Sequence, residues 1–511
     1  MIVVPNHMTQ QFGEDFVKLY PNAKILVATE DDFTSNKRQE LCSRIATGNW
    51  DAVVIGRTQL AKIPISKERQ ERLIQEQVDE LSAAINGMDE KSNRFSVKQM
   101  AQVQLRLETQ LKKIQKDDTD QTVTFEQLGV DRLYIDEAHW FKNLYTVTKM
   151  GDVPGISTDY AEKTSDLLNK CQYLNEKNNG RCSIVFATAT PVSNSMTEVY
   201  TMLRYLNPEG LKRQGFKSFD SWAQTFGSIE NVFELAPEGN KFRWKKRFSK
   251  FNNLPELMAM FKEVADVKTA DELNPETPDA KFIVEQIQPS DAQKDLVEWL
   301  GNRAEDIRNH RVDKKEDIML NVVSDGKKLA LDQRLLKPEL PDDENSKVNR
   351  CLNNVLQIYK ETADKKSTQI VFCDMSTPSG KGKGGFNVYD DFKQKLIAKG
   401  VPANEIAFIH DFKNSVSKEK LFAKVREGSV RILLGSTEKL GIGTNVQTKL
   451  IAMHDLDVPW RPSDLEQRAG RIIRQGNLTL IFGKLLKTNS GSFRKLCLPK
   501  IPLVLQKMLM R

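Results

Sequence analysis

The sequence predicts an α/β protein of two parallel-sheet lobes with helical insertions and a helical middle region. Two series of short apolar runs bounded by polar turns carry this reading, together with the helical-period segments that separate the runs. Composition supports it: 511 residues, 28% charged and 39% hydrophobic with 19 prolines, have the balance of a soluble globular chain long enough for two or three cores.

The first series is MIVVP (1–5), AKILVAT (23–29), DAVVIG (51–56), RLYID (132–136) and CSIVFAT (182–188). Runs this short and this apolar suit strands buried on both faces. Residues 67–117 break the rhythm. There Ile74, Val78, Leu81 and Ile85, then Met100, Val103, Leu107, Leu111 and Ile114, keep helical spacing on either side of Gly87, which predicts a charged helical hairpin inserted in the lobe. Residues 231–345 read as a largely helical spacer, except that NVFELAPEGNKFRWKKRF (231–248) has the form of a β-hairpin turning at PEGN. The second series is TQIVFCD (368–374), EIAFIHD (405–411), VRILLGS (430–436) and KLIAMHD (449–455). The expected domains are therefore 1–230, 231–345 and 346–477, with 478–511 standing apart.

The net charge of +7 belongs to that last segment: residues 478–511 hold five lysines, two arginines and no acid, while the preceding 477 balance at 69 basic against 69 acidic. Six cysteines without a CxxC pair, and five histidines away from them, argue against a disulfide framework or a zinc site and for a reducing cytoplasm. MIVVP is too short for a signal peptide's apolar region, and no run of about 18 apolar residues is present to span a bilayer.

Chemistry is suggested first by YIDEAHWFKNL (134–144). Adjacent carboxylates after an apolar strand repel each other and resist burial, so Asp136 and Glu137 call for a partner such as Mg²⁺. An aspartate at the carboxyl edge of a parallel sheet can hold that ion while the next glutamate polarises water. FATATPVSNS (186–195) puts Thr188 and Thr190 at another strand end, with hydroxyls placed to sense that site. In VPWRPSDLEQRAGRIIRQGN (458–477), Arg471 and Arg474 lie three apart, which on a helix puts both on one face toward a transferring phosphoryl group. KFRWKKRFSKF (241–251) alternates aromatics with cations. Arg243, Trp244 and Lys245 there suit nucleic acid, though a hairpin with one apolar and one solvated face has the same pattern.

DEAH, TATP, S-T-x-x-x-G-x-G-x-N within GSTEKLGIGTNVQ (435–447) and Q-R-x-G-R-x-x-R, in this order and spacing, resemble motifs II, III, V and VI of superfamily-2 helicases. The Swi/Snf type is the nearest branch, on the D-x-x-W-x-P-x-x-x-x-Q-R run from Asp457 to Arg468 and on VVPNHMTQQFGEDF, which resembles motif Ia. Large helicase-like proteins of phages and conjugative elements, sometimes fused to a methylase, are similar over residues 1 to about 477. The resemblance implies two RecA-like lobes, ATP and Mg²⁺ as cofactors, and double-stranded DNA as partner. By the same resemblance Asp136 holds Mg²⁺, Glu137 positions water, Arg471 and Arg474 close over phosphates in the cleft between lobes, and Gln467 and Gly443 belong to the nucleotide site. His139, Thr188 and Thr190 relay nucleotide state. Pro5, Arg57, Thr58, Ser436 and Thr437 contact DNA, although each polar one also suits a plain strand-end cap.

Two departures qualify this. No GxxxxGK[ST] loop occurs, so the first lobe reads as truncated at its N-terminus; SGKGKGGF (379–386) lacks the hydroxyl after its lysines and reads as a loop. After QGN the tail loses all acids, which suggests a change of reading frame, or else a basic arm. A central fragment of a larger protein with impaired hydrolysis is expected. The alternatives are a non-catalytic remnant that binds DNA only and a strand-separating helicase.

Overall fold

The computed structural model describes residues 1–478 and 484–488 except 30, 35–36, 88–89, 117–122, 151–152, 154–155, 157–160, 181–182, 193–194, 217, 236–241, 274, 314, 379–384, 413, 442–443 and 460. By internal contacts the described chain forms two units, Met1–Val232 with Lys246–Thr269, and Phe233–Lys245 with the residues from Ala270 on.

The first unit is built on five parallel strands: β1 (Ile2–Val4), β2 (Ile25–Val27), β3 (Ala52–Gly56), β4 (Leu133–Asp136) and β5 (Ile184–Ala187), in the order β2-β3-β1-β4-β5. Each expected run contains one of them. Val3, Val53, Ile55, Leu133 and Ile135 bury against Leu41, Ile45, Leu167 and Leu174 of the flanking helices, each large side chain contributing about 1.5–3 kcal/mol. Register brings Val4 beside Gly56 and Asp136 beside Ala187, so the carboxyl ends of these strands share one edge. Helices Lys67–Asn86 and Glu90–Lys116 pack through Ile74, Val78, Leu81, Met100 and Leu107.

Strands β6 (Gly227–Leu235) and β7 (Phe242–Phe251) pair with each other alone; the expected turn PEGN lies outside the described residues. The second unit has a six-stranded parallel sheet of β8 (Lys281–Glu285), β9 (Thr368–Phe372), β10 (Ile406–Phe408), β11 (Ile432–Gly435), β12 (Leu450–Asp455) and β13 (Lys484–Thr488), ordered β10-β11-β9-β12-β13-β8. Four of these are the expected runs. The other two are not: β8 comes from the stretch read as helical spacer and β13 from the basic tail. In β8 exposed Phe282 and Val284 face away from a core, so no fully apolar run announces the strand. Helices Asp291–Arg308 and Met319–Leu331 form the helical middle, the first started by a Ser290–Gln293 capping box. Gly428 ends helix Ser415–Glu427 at φ 84°, where a Cβ would lie 2.5 Å from the Lys366 carbonyl oxygen.

Cys42, Cys171, Cys351 and Cys373 are free and buried. Among the described residues no helix is long and apolar enough to cross a membrane.

Candidate functional site

At the end of β4 the chain leaves Asp136 for Glu137 in the left-handed region, φ 53° and ψ 46°, a conformation that costs a non-glycine residue about 1–2 kcal/mol. The turn of 3-10 helix Ala138–Phe141 follows at once and brings His139 back toward the strand ends. His139 Nδ1 stands 3.1 Å from Glu137 Oε2 and 3.2 Å from Thr188 Oγ1, and the Thr190 amide donates to that same hydroxyl oxygen at 3.1 Å. The structure thus joins Glu137, His139, Thr188 and Thr190 into one polar chain across the ends of β4 and β5. A proton on Nδ1 lets His139 hold the Glu137 carboxylate in place.

Asp136 is held above the usual carboxylate range, by burial first and by the adjacent Glu137 charge second; the Glu137 amide, Arg57 and His139 oppose the rise. A carboxylate pair that resists carrying both charges is relieved by a divalent cation. Mg²⁺ commonly takes one or two protein carboxylates and fills its other positions with water or phosphate. The donors at Asp136 and Glu137 fit that ion. They do not fit a closed protein cage, since among the described residues no group of three or more His, Cys, Asp or Glu is placed to hold a metal ion.

Arg57 follows β3 directly. Its guanidinium lies 4.2 Å from the centre of the Trp140 ring, and Nη1 is buried without a hydrogen-bond partner. Burial pulls its pKa down to about 10 against the upward pull of Glu137 and Asp136. Pro5 ends β1, and the adjacent Asn6 ties itself to Thr58: its Nδ2 donates to Thr58 Oγ1 at 2.6 Å and its Oδ1 accepts the Thr58 amide at 3.3 Å. Pro5, Arg57 and Thr58 are therefore neighbours on the edge that also carries the carboxylates.

In the second unit, Arg468 organises the loops after β9, β11 and β12. Its side chain is fully buried; it donates from Nε to Thr437 Oγ1 (2.9 Å), from Nη1 to Asp455 Oδ1 (2.9 Å) and the Asp457 carbonyl (3.0 Å), and from Nη2 to Asp374 Oδ2 (2.8 Å) and Asp457 Oδ1 (3.2 Å). Thr437 also donates its hydroxyl to Asp374 at 2.7 Å, so this residue is engaged inside the unit. Ser436 beside it is buried. In the sequence Arg468 is one letter of the Q-R-x-G-R-x-x-R motif, and its spacing from Asp457 does not say what it binds.

Helix Pro462–Ala469 carries half-buried Gln467 and ends before Arg471, so the two arginines do not share a helix face. They converge nonetheless, Arg471 Nη1 at 3.2 Å and Arg474 Nη1 at 3.3 Å from one acceptor, the Thr444 carbonyl. Gly443 lies outside the described residues. On the hairpin, Phe233 stacks on Phe242 at 5.1 Å and meets Trp244 at 4.9 Å, all three exposed, while Arg243 pairs with Glu234 at 3.1 Å and Lys245 is half-buried.

Compared with known proteins, residues 1–269 match the family described as "Probable helicase domain" and residues 347–476 the "Helicase conserved C-terminal domain". The chain is similar to the Defense against restriction protein B of Escherichia phage P1, 27% identical over 239 residues, which is 45% of this chain and 10% of the phage protein. The match thus spans about a tenth of that relative's length. A solved Sulfolobus solfataricus SWI2/SNF2 ATPase core in complex with dsDNA is 14% identical, with 96% of this chain and 76% of that one covered and a TM-score of 0.29.

Proposed function

The chain belongs to the helicase family of the probable helicase domain, and from that premise we propose that it is an ATP-driven translocase module of Swi/Snf type acting on double-stranded DNA. The carrying observation is the Asp136–Glu137 pair at a parallel-strand end, with Glu137 wired through His139 to Thr188. In this reading Mg²⁺ supplies charge neutralisation for the phosphates and Asp136 is its protein ligand. Glu137 orients the attacking water and takes its proton at a carboxylate oxygen, with His139 fixing the carboxylate. Arg471, Arg474, Gln467 and Gly443 are assigned to the phosphates, and Thr188 with Thr190 to relaying their state.

Residues 1–230 and 346–477 are the two lobes of this module and 231–345 the spacer. Pro5, Thr58, Ser436 and Thr437 are assigned to DNA by their places at strand ends, although the Thr437 amide and hydroxyl both go to Asp374, and the hairpin residues Arg243, Trp244 and Lys245 through charge and stacking. The cytoplasm of a cell carrying a phage or other mobile element is the setting we assign. Because no GxxxxGK[ST] occurs in the sequence, the phosphate cradle is assigned to other residues of a larger polypeptide or to a second chain.

The test is phosphate release with and without duplex DNA. DNA-stimulated release that is lost in Glu137→Gln supports the reading; release unaffected by that change overturns the catalytic assignment. The absent cradle motif favours one second reading, a remnant that binds DNA without hydrolysis. That reading predicts duplex binding with no phosphate release even when a P-loop polypeptide is added.

A further inference from the structure

Arg57 is the residue whose surroundings differ most from its place in the sequence pattern. Read from sequence it faces DNA; in the fold its guanidinium lies on Trp140, itself four residues beyond Asp136. The carboxylates of Glu137 and Asp136 lie at the end of β4, separated from β3 by β1 alone, and they oppose the fall in the Arg57 pKa that burial causes. Its Nη1 is buried with no acceptor, an arrangement unfavourable by itself. Something must hold the side chain there. The available forces are the cation–π contact and the attraction of two carboxylates, both of which strengthen where water is thinned.

The same strand end faces a second kind of anion. Thr58 and Asn6 are joined beside it. Trp140 is 38% exposed and carries a second cation, Lys163 Nζ, 5.5 Å from its ring centre. An exposed ring flanked by two cations at the edge of a sheet suits a phosphate-bearing strand. Arg57 therefore stands where two anionic claims meet.

Resting on the assignment of Asp136 and Glu137 above, we propose that Arg57 is a positioning residue that couples the two claims. Held over Trp140 by the carboxylate pair, it is released toward a nucleic-acid phosphate when that pair is neutralised. The unpartnered Nη1 then gains a charge-assisted acceptor. Linkage makes the effect reciprocal: a phosphate that draws Arg57 away leaves Asp136 and Glu137 less compensated, and so more attractive to a divalent cation.

The test is a mutant cycle on the full chain in EDTA, reading duplex-DNA affinity by fluorescence anisotropy. Asp136→Asn with Glu137→Gln mimics neutralisation and is expected to tighten binding about five-fold or more; adding Arg57→Gln is expected to abolish that gain, and Arg57→Lys to restore part of it. Emission of Trp140, isolated by difference from Trp140→Phe, is expected to shift on neutralisation only when Arg57 is present, a signature that loss of fold does not imitate. An equal gain with and without Arg57, or no gain in either, overturns the inference while DNA binding itself leaves the proposed function standing. Failure of every variant and of the wild-type chain to bind duplex DNA overturns both.

Discussion

Two arginine–carboxylate centres sit at strand ends in this chain, one in each unit, and they are finished differently. Around Arg468 three aspartates, a threonine hydroxyl and a carbonyl accept every arm of the guanidinium, and the side chain is fully buried. Around Arg57 two carboxylates act at a distance, one nitrogen has no acceptor, and the neighbouring Glu137 is held in a left-handed conformation. A buried guanidinium whose every nitrogen is accepted fixes loops against each other. An unsaturated one keeps capacity for a ligand, which is why strained and undercompensated groups concentrate at functional sites.

The sharpest way to break this contrast is to remove each arginine. Arg468→Met leaves Asp455 and Asp457 buried without their counter-charge and is expected to destabilise the second unit by about 3–5 kcal/mol, read by hydrogen exchange in β9 and β12. A loss below about 1 kcal/mol would put the two centres in one class. Arg57→Met, the same chemical change in the first unit, is expected to cost only about 0.5–1 kcal/mol, the worth of its contact with Trp140. Exchange in β1 and β3 measures it.

Glu137→Gly sharpens the comparison from the other side. Relief of the left-handed residue is expected to raise the first unit's stability by about 0.5–1 kcal/mol while phosphate release disappears. Stability lost instead of gained would mean that Glu137 is a structural member like Asp457. No such gain is expected from replacing an acid around Arg468.

The smallest effect is in pH, and its sign separates Asp136 from two aspartates of the second unit that lie outside the Arg468 centre; Asp457 of that centre is raised by burial, as Asp136 is. The folded-state pKa of Asp136 is raised above 3.8, chiefly by burial. Between 3.8 and that raised value the native state binds more protons than the unfolded one, so stability rises as pH falls through this window. Burial, the largest influence, pushes Asp342 and Asp325 of the second unit up, but hydrogen bonds with Lys395 and Asn349 and with Lys328 and Arg303, together with the nearby positive charges, leave both lowered. Their contribution is full above 3.8 and is lost as pH falls through their depressed values. Exchange in β1 and β4, followed in metal-free buffer from neutral pH downward, isolates the Asp136 contribution as the difference between the wild-type chain and Asp136→Asn, in which this rise should be missing.

Much of the fold was legible because buried parallel strands are short continuous apolar runs, and nine of the strands fall inside runs read that way. β8 and β13 were not, since one bears exposed apolar residues and the other lies in a lysine-rich tail with no clean period. Of the site, the strand-end position of Asp136 and Glu137 was readable, as were the two threonines of TATP. The approach of His139 to Thr188 was suggested only by resemblance, and the place of Arg57 was not foreseen. Arg471 and Arg474 were expected on a helix; the chain leaves the helix at Ala469, and the Thr444 carbonyl brings them together instead.

Local features follow from residues near one another along the chain: which residues end strands, which helices are amphipathic, and that two carboxylates follow one apolar run. These depend on period and run length within about ten residues. Which arginine goes to architecture depends on strand order. Arg468 meets Asp374, Asp455 and Thr437 because β9 lies between β11 and β12, and Arg57 reaches Trp140 across the end of β1, which separates β3 from β4. Strand order joins residues far apart in sequence, and hydrogen bonds over a few ångströms go to whichever groups that order brings together.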